Sequence, residues 1–241
     1  AVSTLIPAEP WLFGYYAGMG YAPVFRYSST IFTASEVTTA NEAVVLNKIN
    51  DYQEEVYRYL DRKLRERPYC IQHTETDFQV ILADLQLGKG CVYTLKQGDK
   101  ITALAIVYPA GSTWQAGEIV AEIPGMYLLL LQRICEQLNI PSIRVIAPAA
   151  AGQNPQVLGM ARIINAKTIL QRYAAEHPEL KMSIALTDSQ ISANNGYYYL
   201  NNGKCISSAK RLPGSHLALT VGELTEKILS PSNPYMSLML N

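Results

Sequence analysis

The sequence has no excess of either charge: twenty basic residues balance twenty acidic ones. A surface built for nucleic acid or for an anionic membrane carries a basic excess, so charge offers no case for either partner. No apolar run approaches the length of a membrane span. The opening AVSTLIPAEPWLF lacks a basic n-region and a long apolar h-region, so it is not expected to be a signal peptide. Cys70, Cys91, Cys135 and Cys205 stand singly without a CxxC, and His73, His177 and His216 are equally dispersed. Metal-ligand spacing is therefore missing, and the expected reading is four reduced thiols in a cytoplasmic protein without a metal. Internal repeats and low-complexity tracts are missing too. What remains is a chain of 241 residues, 49% apolar, enough for one large domain or two ordinary ones with a buried core.

Residues 1–32 read as strand, helix, strand. In WLFGYYAGMGY, Leu12, Tyr15, Tyr16 and Met19 fall on one helical face, and Gly20 sits where a C-cap glycine would. Residues 33–50 read as a polar connector. Asp51 with Glu54 has capping-box spacing and predicts a helix to about Glu66 with Tyr52, Val56, Tyr59, Leu60 and Leu64 inward. Thr74 predicts the cap of a second helix with Phe78, Ile81, Leu82 and Leu85 on its apolar face. CVYTLK and ITALAIVY flank QGD and predict a hairpin. A strand (GEIVAEI), a buried helix (MYLLLLQRICEQL) and a strand (SIRVIAP) follow. AAAGQNPQ, residues 149–156, is the best linker candidate. Beyond it come a strand (MARII), a helix opened by Asn165, and a strand (KMSIALTD). YYYL then lies between two NNG turns, HLALTV reads as a strand, and Thr220 with Glu223 caps a last helix.

The order over residues 51–148 resembles the acetyl-CoA-dependent N-acetyltransferase (GNAT) fold, and LIPAEPWLFGYYAGMGYAPVF resembles the end of that fold, L-F-x-x-Y-x-x-x-G-Y. The last 90 or so residues, from GMARII to PYMSLML, look like the sterol-carrier-like domain that closes one group of these enzymes. Together they resemble the tandem acetyltransferases of the enhanced-intracellular-survival type. The resemblance implies an α/β (α+β) chain in three parts: residues 1–34, the end of a first GNAT domain; 35–150, a second GNAT-like mixed sheet with helices; and 151–241, the sterol-carrier-like α/β domain. It also implies an incomplete chain, since a GNAT domain needs roughly 100 residues ahead of the helix at 11–19. Those residues would carry the glycine-rich loop for acetyl-CoA. At the equivalent place in the second unit, AEIPGMYLL has one glycine, no preceding arginine and a proline, so that unit is expected to be structural.

On spacing alone, Tyr15 and Tyr16 pack one helical face. The resemblance makes Tyr16 the general acid that protonates the departing coenzyme A thiolate, with Tyr15 left to pack, and a phenol suits that leaving group. On residues alone the tail is an edge strand or a frayed end; the resemblance makes the α-carboxylate of Asn241 the general base toward a primary amine, on a small molecule or a lysine. Trp11, Phe13 and Tyr21 are candidates to line that site, although aromatic residues there are more often core. Residues that grip the cofactor stay unassigned. The acidic group Glu36, Asp51, Glu54 and Glu55 reads as a solvated helix start, His73 as a capping or packing residue, and Tyr197–Tyr199 as alternating sheet residues. The resemblance further implies a homo-oligomer. A rival reading makes the last domain a carrier for an apolar ligand, with a tunnel among Ile163, Ile169, Leu170, Ile184 and Leu219.

Overall fold

The computed structural model describes residues 2–34, 44–67, 69–149 and 155–236. In chain order the elements are β1 (Val2–Leu5), α1 (Leu12–Gly18), β2 (Ala22–Thr33), β3 (Val44–Ile49), α2 (Glu54–Arg65), α3 (Glu75–Leu87), β4 (Cys91–Gln97), β5 (Lys100–Ala110), β6 (Thr113–Ala121), α4 (Pro124–Leu138) and β7 (Ser142–Pro148). They continue with β8 (Gln156–Ile163), α5 (Ala166–Glu176), β9 (Met182–Thr187), β10 (Gly196–Asn201), β11 (Lys204–Ser208), β12 (Leu217–Thr220) and α6 (Val221–Leu229). The chain forms two compact units, one of Ala1–Arg26 with Gln156–Pro234, the other of Tyr27–Pro155 with Tyr235–Asn241.

In the second unit the strand order is β2-β7-β6-β5-β4-β3. All neighbours are antiparallel except β6 and β7, which run parallel and pair only at Gln115↔Arg144 and Ala116↔Val145. Side chains alternate across a strand, and the alternation sorts the core. Tyr93, Leu95, Ala103, Ala105 and Val107 face Leu130, Leu131 and Ile134 of α4. Val92, Leu104 and Ile106 face Val56, Leu60, Phe78 and Ile81 of α2 and α3. With helices on both faces, CVYTL is buried throughout, as a strand covered on two sides must be. Gly98, at φ +59°, turns β4 into β5.

In the first unit β1 pairs antiparallel with β8, from Val2↔Ile163 to Leu5↔Met160. A second sheet has the order β11-β10-β9-β12, with β12 parallel to β9. α5 packs on β10 and β11, and α6 on β8, β9 and β12.

The predicted caps at Thr74 and Thr220 are full capping boxes with Asp77 and Glu223, and Asn165 accepts the Thr168 amide at 3.0 Å. The Asp51–Glu54 box does not form. Gln53 is the N-cap of α2 without a side-chain bond, so Glu54 stands at the first helical position, too early to reach back, and pairs with Arg58 at 2.6 Å. β3 occupies the stretch expected as a connector; its polar Asn47 and Lys48 suit the outermost strand of the order. Pro68, Glu36, most of the linker candidate and Asn241 lie outside the described residues.

Candidate functional site

α1 is a seven-residue helix with no buried residue. Its predicted face is thus not a core face: Tyr15 is 53% exposed and its ring touches Tyr16 rather than a core. Tyr16 is half-buried. Its ring meets Tyr15 edge-on at 5.3 Å between centroids and Tyr21 at 5.7 Å. The Tyr21 hydroxyl shares a 2.8 Å hydrogen bond with Ser3 Oγ on β1, which ties the supporting ring to the sheet. Trp11 is 68% exposed, and Phe13 and Tyr21 are partly buried.

The C-terminal end of α1 is fixed tightly. The Met19 and Tyr21 amides both donate to the Tyr16 carbonyl, at 2.9 and 3.1 Å. Gly20 takes φ +85°, and a Cβ there would stand 2.5 Å from Val221 Cγ1, so both the turn and the close approach of α6 require glycine. Arg162 Nε donates to the Met19 carbonyl at 2.7 Å, and its Nη2 to Asp188 Oδ1 at 2.7 Å. Both side chains are almost fully buried, at 4% and 0% exposure. Asp188 also accepts the Gln190 and Ile191 amides and Asn194 Nδ2. Burial pushes the Asp188 carboxyl up, but the hydrogen bonds and the Arg162 charge outweigh it and hold the group below the usual carboxylate range. Asn194 completes the network by accepting the Ala166 amide at 2.9 Å. Beside this clasp is a cleft of about 400 Å³, bordered by Ala17, Gly18, Asp188, Asn195, Thr220 and Gly222.

The clasp is not among the sites expected from the sequence. Its signal is an arginine inside the apolar strand GMARII and an aspartate ending SIALTD, charges that need partners if those strands are buried. Their separation of 26 residues gives no local pattern to pair them.

In the second unit the turn from β6 into α4 runs Glu122-Ile123-Pro124-Gly125. Ile123 is the N-cap without a side-chain bond, and Pro124 at the helix start has no N–H to offer. Beside it is a groove of about 410 Å³ that includes Glu122 and Tyr127. Glu122 pairs with Arg62. A helix start short of one donor and flanked by a carboxylate does not fit a pyrophosphate, so no step is assigned there. Among the described residues no group of three His, Cys, Asp or Glu side chains could hold a metal. Burial raises the thiols of Cys70 and Cys135 to about 11. Glu55 pairs with Lys96. Burial lowers the His73 imidazole, with Asp77 opposing. Ile163, Leu170 and Ile184 are buried, at 0% exposure, and Ile169 and Leu219 are partly exposed. No helix among the described residues is long and apolar enough to cross a membrane.

No family model matches the sequence, and no curated protein matches it. Solved structures do resemble the chain. A GCN5-related N-acetyltransferase from Anabaena variabilis ATCC 29413 is 15% identical over 93% of this chain, with a TM-score of 0.67. A probable N-acyltransferase from Enterococcus faecalis V583 is 14% identical over 94%, with a TM-score of 0.70. Eis1 from Mycobacterium abscessus is 11% identical over 95%, with a TM-score of 0.64. The chain spans 62% of the length of each of the three. At such identities the likeness concerns the fold: a mixed α/β chain of the GNAT-like type, whose structural neighbours are GNAT N-acetyltransferases.

Proposed function

We propose that this chain is the C-terminal part of an acetyl-CoA-dependent N-acetyltransferase. Residues 1–34 end the catalytic GNAT domain, 35–150 form a GNAT-like unit without a cofactor loop, and 151–241 form a sterol-carrier-like domain. The observation that carries the reading is α1: a fold of GNAT type presents a half-buried tyrosine on a helix whose far end is locked by a buried arginine. Such locking suits a group that must hold its aim, since placement within hydrogen-bond reach decides general-acid efficiency.

The acceptor is a primary amine, on a small molecule or a lysine, and it must be neutral to attack the thioester. The Asn241 carboxylate takes its proton, and Tyr16 gives one to the sulfur that leaves. Trp11, Phe13 and Tyr21 line the approach. The thioester co-substrate supplies the acetyl group. The complete protein is a cytoplasmic homo-oligomer with neither nucleic acid nor membrane as partner.

Isothermal titration tests the placement of the cofactor site. This chain is expected to give no heat with acetyl-CoA; micromolar binding would mean the site lies within it.

A further inference from the structure

Two residues opposed across β1 and β8 hold the turn that follows α1. Ser3 and Arg162 are register partners in this antiparallel pair, and opposed residues send their side chains to the same face of a sheet. Arg162 Nε donates to the Met19 carbonyl at 2.7 Å. Ser3 Oγ and the Tyr21 hydroxyl share a hydrogen bond of 2.8 Å. Gly20, at φ +85°, lies between the two points of attachment. The seat therefore grips the backbone on one side of the turn and a ring on the other.

The ring matters because of what it touches. Tyr21 meets Tyr16 at 5.7 Å between centroids with the planes 65° apart, an edge contact. Tyr15 supplies a second edge at 5.3 Å, but it is 53% exposed, and a ring half in water is a poor stop. α1 has no buried residue, so core packing does not hold the Tyr16 ring either. Of the two edges, the one tied to the sheet is Tyr21.

We propose that Ser3 is a positioning residue for Tyr16: its hydroxyl pins Tyr21, and the edge of Tyr21 sets the direction in which the Tyr16 phenol points. The inference rests on the acetyltransferase reading, in which Tyr16 is the general acid. A phenol free to swing spends less time within hydrogen-bond reach of the leaving sulfur, and proton delivery slows accordingly. In this account Ser3 acts through the two rings and not by contact with either substrate.

Urea denaturation of this chain tests the bond. Ser3→Ala, Tyr21→Phe and the double variant are expected to show a coupling of about fivefold in the unfolding constant, the worth of one ordinary hydrogen bond. Strict additivity overturns the bond.

Acetyl transfer by the complete protein tests the role. Ser3→Ala and Tyr21→Phe are each expected to lower kcat about tenfold, with KM for acetyl-CoA within about twofold of the parent. Ser3→Thr, which restores a hydroxyl, is expected to keep kcat within about twofold. In a Tyr16→Phe background, Ser3→Ala is expected to cost less than about twofold, because the group it aims is gone. Parent-like kcat in Ser3→Ala, or a tenfold loss that persists without the Tyr16 phenol, overturns the positioning role. Tyr16→Phe alone judges the acetyltransferase reading, so failure of that reading and failure of the seat are distinguishable.

Discussion

Arg162 Nη2 stands 2.7 Å from Asp188 Oδ1, and the same guanidinium holds the carbonyl of Met19 through Nε. A charge pair that spans β8 and the end of β9 thus sets the last turn of the helix that carries Tyr16. Buried pairs of this kind contribute little over an apolar substitute, but losing one partner strands the other charge.

Arg162→Met is accordingly expected to destabilise the first unit by about 3–5 kcal/mol. Asp188→Asn, which keeps the shape and some hydrogen bonds, is expected to cost less, and the double variant Arg162→Met with Asp188→Leu less than the sum of its parts. Urea denaturation of the parent and these variants, with Asp188→Leu alone to close the cycle, measures the differences; strict additivity would contradict a direct pair.

Gly20→Ala combines a left-handed backbone with a Cβ only 2.5 Å from Val221 Cγ1. The expected cost is about 2–4 kcal/mol. Val221→Ala on the same background should recover the steric part and leave the backbone part. A Gly20→Ala protein of unchanged Tm would show that the turn is not as described.

Acid should weaken both units through named groups. The folded Asp188 carboxyl is depressed below its ordinary 3.8. Its contribution is present above that value and is lost as pH falls through the folded value. His73 is lowered from its ordinary 6.5 by burial, so the unfolded chain binds the proton first. Stability therefore declines as pH drops below about 6.5 toward the folded His73 value. His73→Gln should flatten the decline that begins below about pH 6.5, and a decline that persists there would assign it elsewhere.

Much of the fold was legible because its signals are local. The apolar face of α3, the apolar run of α4, the β4–β5 hairpin with Gly98, and the caps Thr74, Asn165 and Thr220 depend on residues within a few positions of each other. β3 was not legible, because polar Asn47 and Lys48, which suit an outermost strand, interrupt its short apolar run Val44-Val45-Leu46. Asp51 and Glu54 have box spacing, yet the helix begins later, since spacing alone does not fix where helical dihedrals start. Tyr16 stood out through the pattern around it. Arg162 and Asp188 did not, because a pair made by strand packing has no sequence spacing.

Capping gives a smaller test. Thr220 Oγ1 accepts the Glu223 amide, and the Glu223 carboxylate accepts the Thr220 amide at 2.7 Å. Thr220→Ala should destabilise by about 1 kcal/mol, and Thr220→Ser by a few tenths at most. Equal losses for both would mean that the methyl group, not the hydroxyl, matters.

The proton delivered by Tyr16 is the centre of the proposal, and steady-state acetyl transfer by the complete protein tests it most directly. Tyr16→Phe is expected to lower kcat by about 100-fold or more, leaving KM for acetyl-CoA nearly unchanged. A Tyr16→Phe enzyme that turns over within about twofold of the parent would contradict the account.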